Sequence, residues 1–103
     1  MKIVVLRSAR RTVADGIRFY ESQEIGLGAY FLSSIMADIR SLRIYGGAHQ
    51  KYAGSYYRMV AKRFPYSIYY RKQERDVYVY AILDDRRDPN LIREILSRVD
   101  TEK

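Results

Sequence analysis

Five cations mark where this chain could act on an anionic partner: Arg58, Lys62 and Arg63 in one stretch, Arg86 and Arg87 in another. A guanidinium is a rigid fork of donors matched to a phosphate or a carboxylate, and an ammonium is a compact point charge. Arg58 and Lys62 stand four residues apart, so on an extended strand they share a face about 13 Å apart. Lys51 can lie near them. Arg86 and Arg87 are flanked by Asp84, Asp85 and Asp88. These acids and arginines can equally form local ion pairs around a capped helix start. Both uses of the arginines stay open. No nucleophile–base constellation is visible beside them. The one histidine, His49, sits in the loop Gly46-Gly47-Ala48-His49, where a lone imidazole is ordinarily solvated. It cannot make a multi-histidine metal site. The chain has no cysteine, which excludes disulfides, thiolate zinc sites and a cysteine nucleophile. No metal or cofactor is expected.

The formal charge is +7 over 103 residues, and it is unevenly placed. Residues 1–64 hold eleven Lys/Arg against four Asp/Glu, and residues 65–103 hold eight of each. The excess points to an acidic partner: nucleic acid, a ribosome, or an acidic protein segment. Fourteen arginines against five lysines, with eleven tyrosines, are the types that make interface anchors, phosphate clamps and stacking platforms. Core tyrosines would give the same count.

Elements that must position these groups follow from periodicity. The length fits one domain, residues 1–103. No apolar run is long enough for a membrane span, and Met1–Leu6 is too short for a signal-peptide core. A cytoplasmic chain is expected, starting in a strand over Lys2–Leu6. Ser8 is a candidate N-cap for a helix over residues 9–24, and Gly16 within it is expected to mark close packing on the next helix. After Gly26-Leu27-Gly28, the residues Phe31, Leu32, Ile35, Met36, Ile39 and Leu42 recur at helical spacing, ending near Gly46-Gly47. The short connection predicts an antiparallel helical hairpin.

The period then changes. Ser55–Lys62 reads as a strand with Tyr57, Met59 and Ala61 on one face and Tyr56, Arg58, Val60 and Lys62 on the other. Phe64-Pro65 turns the chain into a strand over Tyr66–Arg71. A polar turn leads to Val77–Leu83, apolar on both faces like a central strand. Asp88-Pro89-Asn90 opens a last helix. The expected class is α+β, ordered β-α-α-β-β-β-α, with the hairpin on a mainly antiparallel four-stranded sheet. Phe31, Ile35, Ile39 and Leu42 should pack on Ile68, Val79 and Ala81.

Four segments carry a resemblance: Tyr56-Tyr57-Arg58, Phe64-Pro65-Tyr66-Ser67-Ile68-Tyr69-Tyr70-Arg71, Val77-Tyr78-Val79-Tyr80-Ala81-Ile82-Leu83, and Arg86-Arg87-Asp88-Pro89. Together they resemble the C-terminal half of ParE-like plasmid-stabilisation toxins of the RelE/ParE superfamily. The hairpin, with Ala14-Asp15 and Phe19-Tyr20, fits the N-terminal half more loosely. One departure is clear. Asp84, followed by Asp85, stands where many members carry histidine before the arginines, so any proton transfer by that histidine is lost here.

The resemblance implies a RelE-like fold and the toxin of a bacterial type II toxin–antitoxin pair, neutralised by a cognate antitoxin and forming oligomers with itself or with that antitoxin. It implies two targets. ParE-type members poison DNA gyrase, which needs no catalytic residue. RelE-type members cut messenger RNA on the ribosome without metal, using Lys, Arg and Tyr side chains to activate a ribose hydroxyl and stabilise a phosphorane. In the first case Arg58, Lys62, Arg63, Arg86 and Arg87 are target contacts. In the second Arg58, Lys62, Arg86 and Arg87 are the catalytic candidates. The motif set sides with the gyrase-type reading. A nucleic-acid-binding module without activity, or a degenerate toxin that keeps only the fold and antitoxin binding, are the remaining alternatives.

Overall fold

The computed structural model describes residues 1–103. The elements run β1 (Ile3–Val5), α1 (Arg7–Gln23), α2 (Leu27–Arg40), a single-turn α3 (Leu42–Tyr45), β2 (Gln50–Tyr52), β3 (Tyr56–Val60), β4 (Tyr66–Gln73), β5 (Asp76–Asp84) and α4 (Pro89–Val99). One sheet takes the strands in the order β1-β5-β4-β3-β2. β1 pairs with β5 in parallel, and every other pair is antiparallel. The α+β class and the expected element order hold, but the sheet has five strands where four were expected. The addition is β2, an edge strand reading Gln50-Lys51-Tyr52 with its first two residues exposed. A short polar edge strand has no buried face to leave an alternating pattern. No helix is long and apolar enough to cross a membrane.

The hairpin is closed by one side chain. The Glu21 carboxylate accepts hydrogen bonds from the Gly26 N–H at 3.1 Å and the Gly28 N–H at 3.0 Å, satisfying donors that the start of α2 leaves free. Gly16 is where the two helices touch: a Cβ there would stand 2.6 Å from the Phe31 ring. The expected cap at Ser8 is not made. Helix α1 begins at Arg7 with Leu6 in the capping position and no side-chain cap, because Ser8 turns instead to Glu102.

Two cores flank the sheet. On one face α1, α2 and α3 bury Ala9, Val13, Phe31, Ile35, Ile39 and Leu42 against Met59, Ala61, Ile68, Tyr70, Val77, Val79 and Ile82. On the other, α4 buries Ile92, Leu96 and Val99 against Tyr56, Tyr69, Tyr80, Ala81 and Leu83. The expected contact of the hairpin with Ala81 is therefore corrected: Ala81 faces α4. The cause is a bulge. Tyr69 pairs with Ala81 while Tyr70 pairs with Val79, leaving Tyr80 as an extra residue in β5. An extra residue reverses the side-chain alternation beyond it, so Val77 and Val79 face the hairpin, Tyr80 and Ala81 both face α4, and Ile82 faces the hairpin again.

Candidate functional site

The end of β5 and the loop that follows organise the candidate cations. Asp84 continues the parity of Ile82 and faces α1, and Asp85 faces the α4 side. Arg58, from the middle of β3, points to the α4 side as its alternation with Met59 requires. There its Nη2 lies 3.2 Å from Asp85 Oδ1, and the buried Ser67 hydroxyl donates to the same oxygen at 2.6 Å. Burial acts to lower the Arg58 pKa, but hydrogen bonding to Asp85 and the nearby Tyr69 hydroxyl outweighs it and raises the pKa overall. Arg58 is thus a fixed cation, internally paired.

Arg86 and Arg87 take the other side. The Arg86 side chain folds back on Asp84 as a fork, with Nε to Oδ1 at 2.9 Å and Nη2 to Oδ2 at 2.6 Å. The Arg86 N–H donates to Asp84 Oδ1 at 2.8 Å. The Arg86 hydrogen bond holds the Asp84 pKa below its ordinary carboxylate value against the opposing effect of burial. Arg86, Arg87 and Asp84 line a cavity of about 350 Å³ whose α1 wall is Thr12, Asp15, Gly16 and Phe19 and whose floor includes Tyr66 and Ile82. Arg86 and Arg87 therefore do not join Arg58 on one side of the sheet. Asp84 draws Arg86 toward α1, and Arg87 opens to the same cavity without an ion pair.

Lys62 and Arg63 ride on the β3–β4 turn. The Lys62 N–H donates at 3.2 Å to the buried Asp38 carboxylate, which fixes the turn while the Lys62 side chain stays exposed. Arg63 Nη1 reaches the Tyr30 hydroxyl at 3.4 Å. The five cations are therefore spread over two faces and a turn.

His49 is not a free loop imidazole as expected. It is half-buried, and its Nδ1 lies 2.5 Å from the Tyr70 hydroxyl, which also accepts the Gly47 N–H at 2.9 Å. Burial lowers its pKa, so it is a neutral brace. Lys51 stacks on the Tyr57 ring at 4.3 Å and does not join the cation set.

No protein-family model matches this sequence, and no curated protein matches it at a significant level. Among solved structures it resembles a chain described as the "Chromosomal ParDE TA system from P. aeruginosa", with a TM-score of 0.67 at 16% identity, over 80% of this chain and 92% of that one. This chain shares the α+β fold of that ParDE-system chain.

Within this fold, sequence reasoning missed Arg71. Its guanidinium packs on the Tyr56 and Tyr80 rings, 4.1 and 4.7 Å from their centroids, at the corner of that edge-to-face pair. It donates to Ser55 Oγ at 2.9 Å and pairs with Asp100 at the end of α4. A guanidinium packed on two rings of the sheet and paired with a carboxylate at the end of α4 ties α4 to the sheet. The tyrosines at 56 and 80 were visible in the sequence. That both contact Arg71 depends on the bulge that turns Tyr80 toward α4.

Proposed function

We propose that residues 1–103 act as the toxin domain of a type II toxin–antitoxin pair in the cytoplasm, that a cognate antitoxin neutralises it in a hetero-oligomer, and that it arrests growth by poisoning DNA gyrase. The likeness of fold supports the toxin reading. The choice of gyrase over messenger RNA rests on one observation: the candidate cations diverge, and Arg58 and Arg86 are each already neutralised by a carboxylate, Asp85 and Asp84. Phosphoryl cleavage needs donors converging within about 3 Å of the developing charge and a base with a pKa near neutrality. Asp84, held low by Arg86, is a poor proton acceptor at pH 7. Binding to a protein surface asks only for fixed anchors, for which Arg, Tyr and Phe are well suited.

On this reading Arg58, Lys62, Arg63, Arg86 and Arg87 are target contacts and none is catalytic. The RelE-type alternative would have to draw on Lys62 and Arg87, which form no ion pair. The deciding experiment is induced expression with two readouts in the same cells. Loss of plasmid supercoiling, or trapped cleaved DNA, with intact messenger RNA is expected. Codon-phased cuts in ribosome-bound messages with normal supercoiling would overturn the proposal in favour of the endonuclease.

A further inference from the structure

A second cationic surface lies away from the five candidates, where α1 starts and α4 ends. Helix starts favour acids, because the macrodipole and the free N–H groups are positive. Helix α1 instead opens Arg7-Ser8-Ala9-Arg10-Arg11, with no acid in its first turn and no side-chain cap. Arg7 and Arg11 are one turn apart on one face, and Arg98 comes in from the last turn of α4. Arg10 Nη1 binds the Val5 carbonyl at 2.7 Å, which fixes that guanidinium beside the others. All four arginines are exposed and none is in an ion pair.

Two joined grooves run between them. One, of about 540 Å³, includes Arg7, Ser8, Arg10, Arg11 and Glu102; the other, of about 310 Å³, includes Ser8, Arg11, Arg98 and Glu102. Glu102 is the only acid lining either groove. Its carboxylate takes the Ser8 N–H at 2.8 Å and the Ser8 hydroxyl. A carboxylate seated on a backbone donor, a hydroxyl and flanking guanidinium groups occupies the place a phosphate oxygen would take.

We propose that this arginine surface docks the phosphate backbone of a nucleic acid, and that Glu102 is an internal competitor the backbone displaces. The apolar residues lining the grooves, Val4, Val5, Leu6, Ile95 and Val99, are partly or fully buried while the arginines are exposed, so the surface offers charge more than apolar anchors. A phosphate backbone needs only cations and hydrogen-bond donors. Clustering unpaired arginines costs stability through like-charge repulsion, which a bound polyanion relieves. The site shares no residue with the surface assigned to gyrase and stands or falls separately from that reading.

Fluorescence anisotropy tests it, using the full chain and a labelled DNA duplex of about 20 base pairs between 50 and 200 mM salt. The triple variant Arg7→Ala/Arg11→Ala/Arg98→Ala is expected to bind about tenfold or more weakly at 50 mM salt, with the slope of log K against log salt shallower by about 2–3. Glu102→Gln, which removes the competing charge, should tighten binding severalfold, a gain that misfolding cannot produce. The proposal is overturned if neither the wild type nor Glu102→Gln binds the duplex at 50 mM salt, if the triple variant binds like the wild type, or if Glu102→Gln binds more weakly. Retention on vesicles containing phosphatidylserine without duplex binding would also overturn it, assigning the surface to membranes.

Discussion

Arg58 Nη2 and the Ser67 hydroxyl converge on one oxygen of Asp85, at 3.2 and 2.6 Å, so a single carboxylate ties β3, β4 and the loop after β5 together. Both ends of the ion pair are partly exposed, 33% for Arg58 and 23% for Asp85, which puts its worth below that of a sealed pair. Arg58→Ala should destabilise the fold by about 1–3 kcal/mol. Arg87→Ala removes an exposed cation without a partner and should leave stability within about 0.5 kcal/mol of the wild type. Melting temperature and growth arrest, measured on both variants, separate the roles. Arrest lost in Arg87→Ala at unchanged melting temperature marks a target contact, and full arrest in that variant would remove Arg87 from the target surface.

Arg71 should tolerate no cation in its place. Lysine keeps the charge but lacks the planar fork and the flat face that packs on the tyrosine rings. Arg71→Lys is expected to cost about 1–3 kcal/mol, with hydrogen exchange accelerated in α4 ahead of α1 and α2. Uniform acceleration across all helices would show that this packing does not act locally on α4.

Gly16 is a packing requirement. An alanine Cβ would meet the Phe31 ring at 2.6 Å and the Tyr66 hydroxyl at 3.3 Å, and overfilling a packed site costs about 1–3 kcal/mol despite alanine's better helix propensity. For a chain of this size each kcal/mol lowers the melting temperature by about 4–8 °C. A melting temperature at or above wild type in Gly16→Ala would mean that Phe31 moves aside freely.

Acid should destabilise the protein in two stages. His49 is depressed by burial from an ordinary 6.5, and Asp84 is depressed by the Arg86 hydrogen bond from an ordinary 3.8. In both cases the unfolded chain binds the proton more readily than the folded one, so stability rises with pH between the folded and unfolded values. The His49 contribution is complete above about 6.5 and is lost as pH falls through its folded value; the Asp84 contribution is complete above about 3.8 and is lost below it. Urea midpoints against pH should show both declines. His49→Gln should flatten the upper one and Asp84→Asn the lower, and an unchanged profile in either variant would refute that assignment.

Much of the architecture was legible because burial writes itself into spacing. Phe31, Ile35, Ile39 and Leu42 recur at helical intervals and are buried, and Asp88 caps α4 through the Asn90 N–H at 2.8 Å with Pro89 as its first residue, as their types require. β2 was silent because an exposed edge has no buried face. The site was harder to read. Asp84, Asp85, Arg86 and Arg87 are visible as a cluster, but which acid meets which arginine depends on parity. Ser8 has the residue type of a cap but turns to Glu102, a contact between residues 94 apart in sequence that no local rule can foresee.

The extra residue at Tyr80 has an electrostatic consequence. Every side chain after it is one half-step out of phase with the strand before it, so the bulge decides on which side each terminal acid emerges. Were the strand to alternate regularly through Tyr80, with its phase set by Val77 and Val79, its end would present Asp85 toward α1 and Asp84 toward β3. Arg58 would then compete for the carboxylate that now engages Arg86, and the two arginines would exchange counter-ions. A backbone irregularity about 13 Å away thus works as a selector switch, wiring two adjacent acids to opposite sides of the molecule.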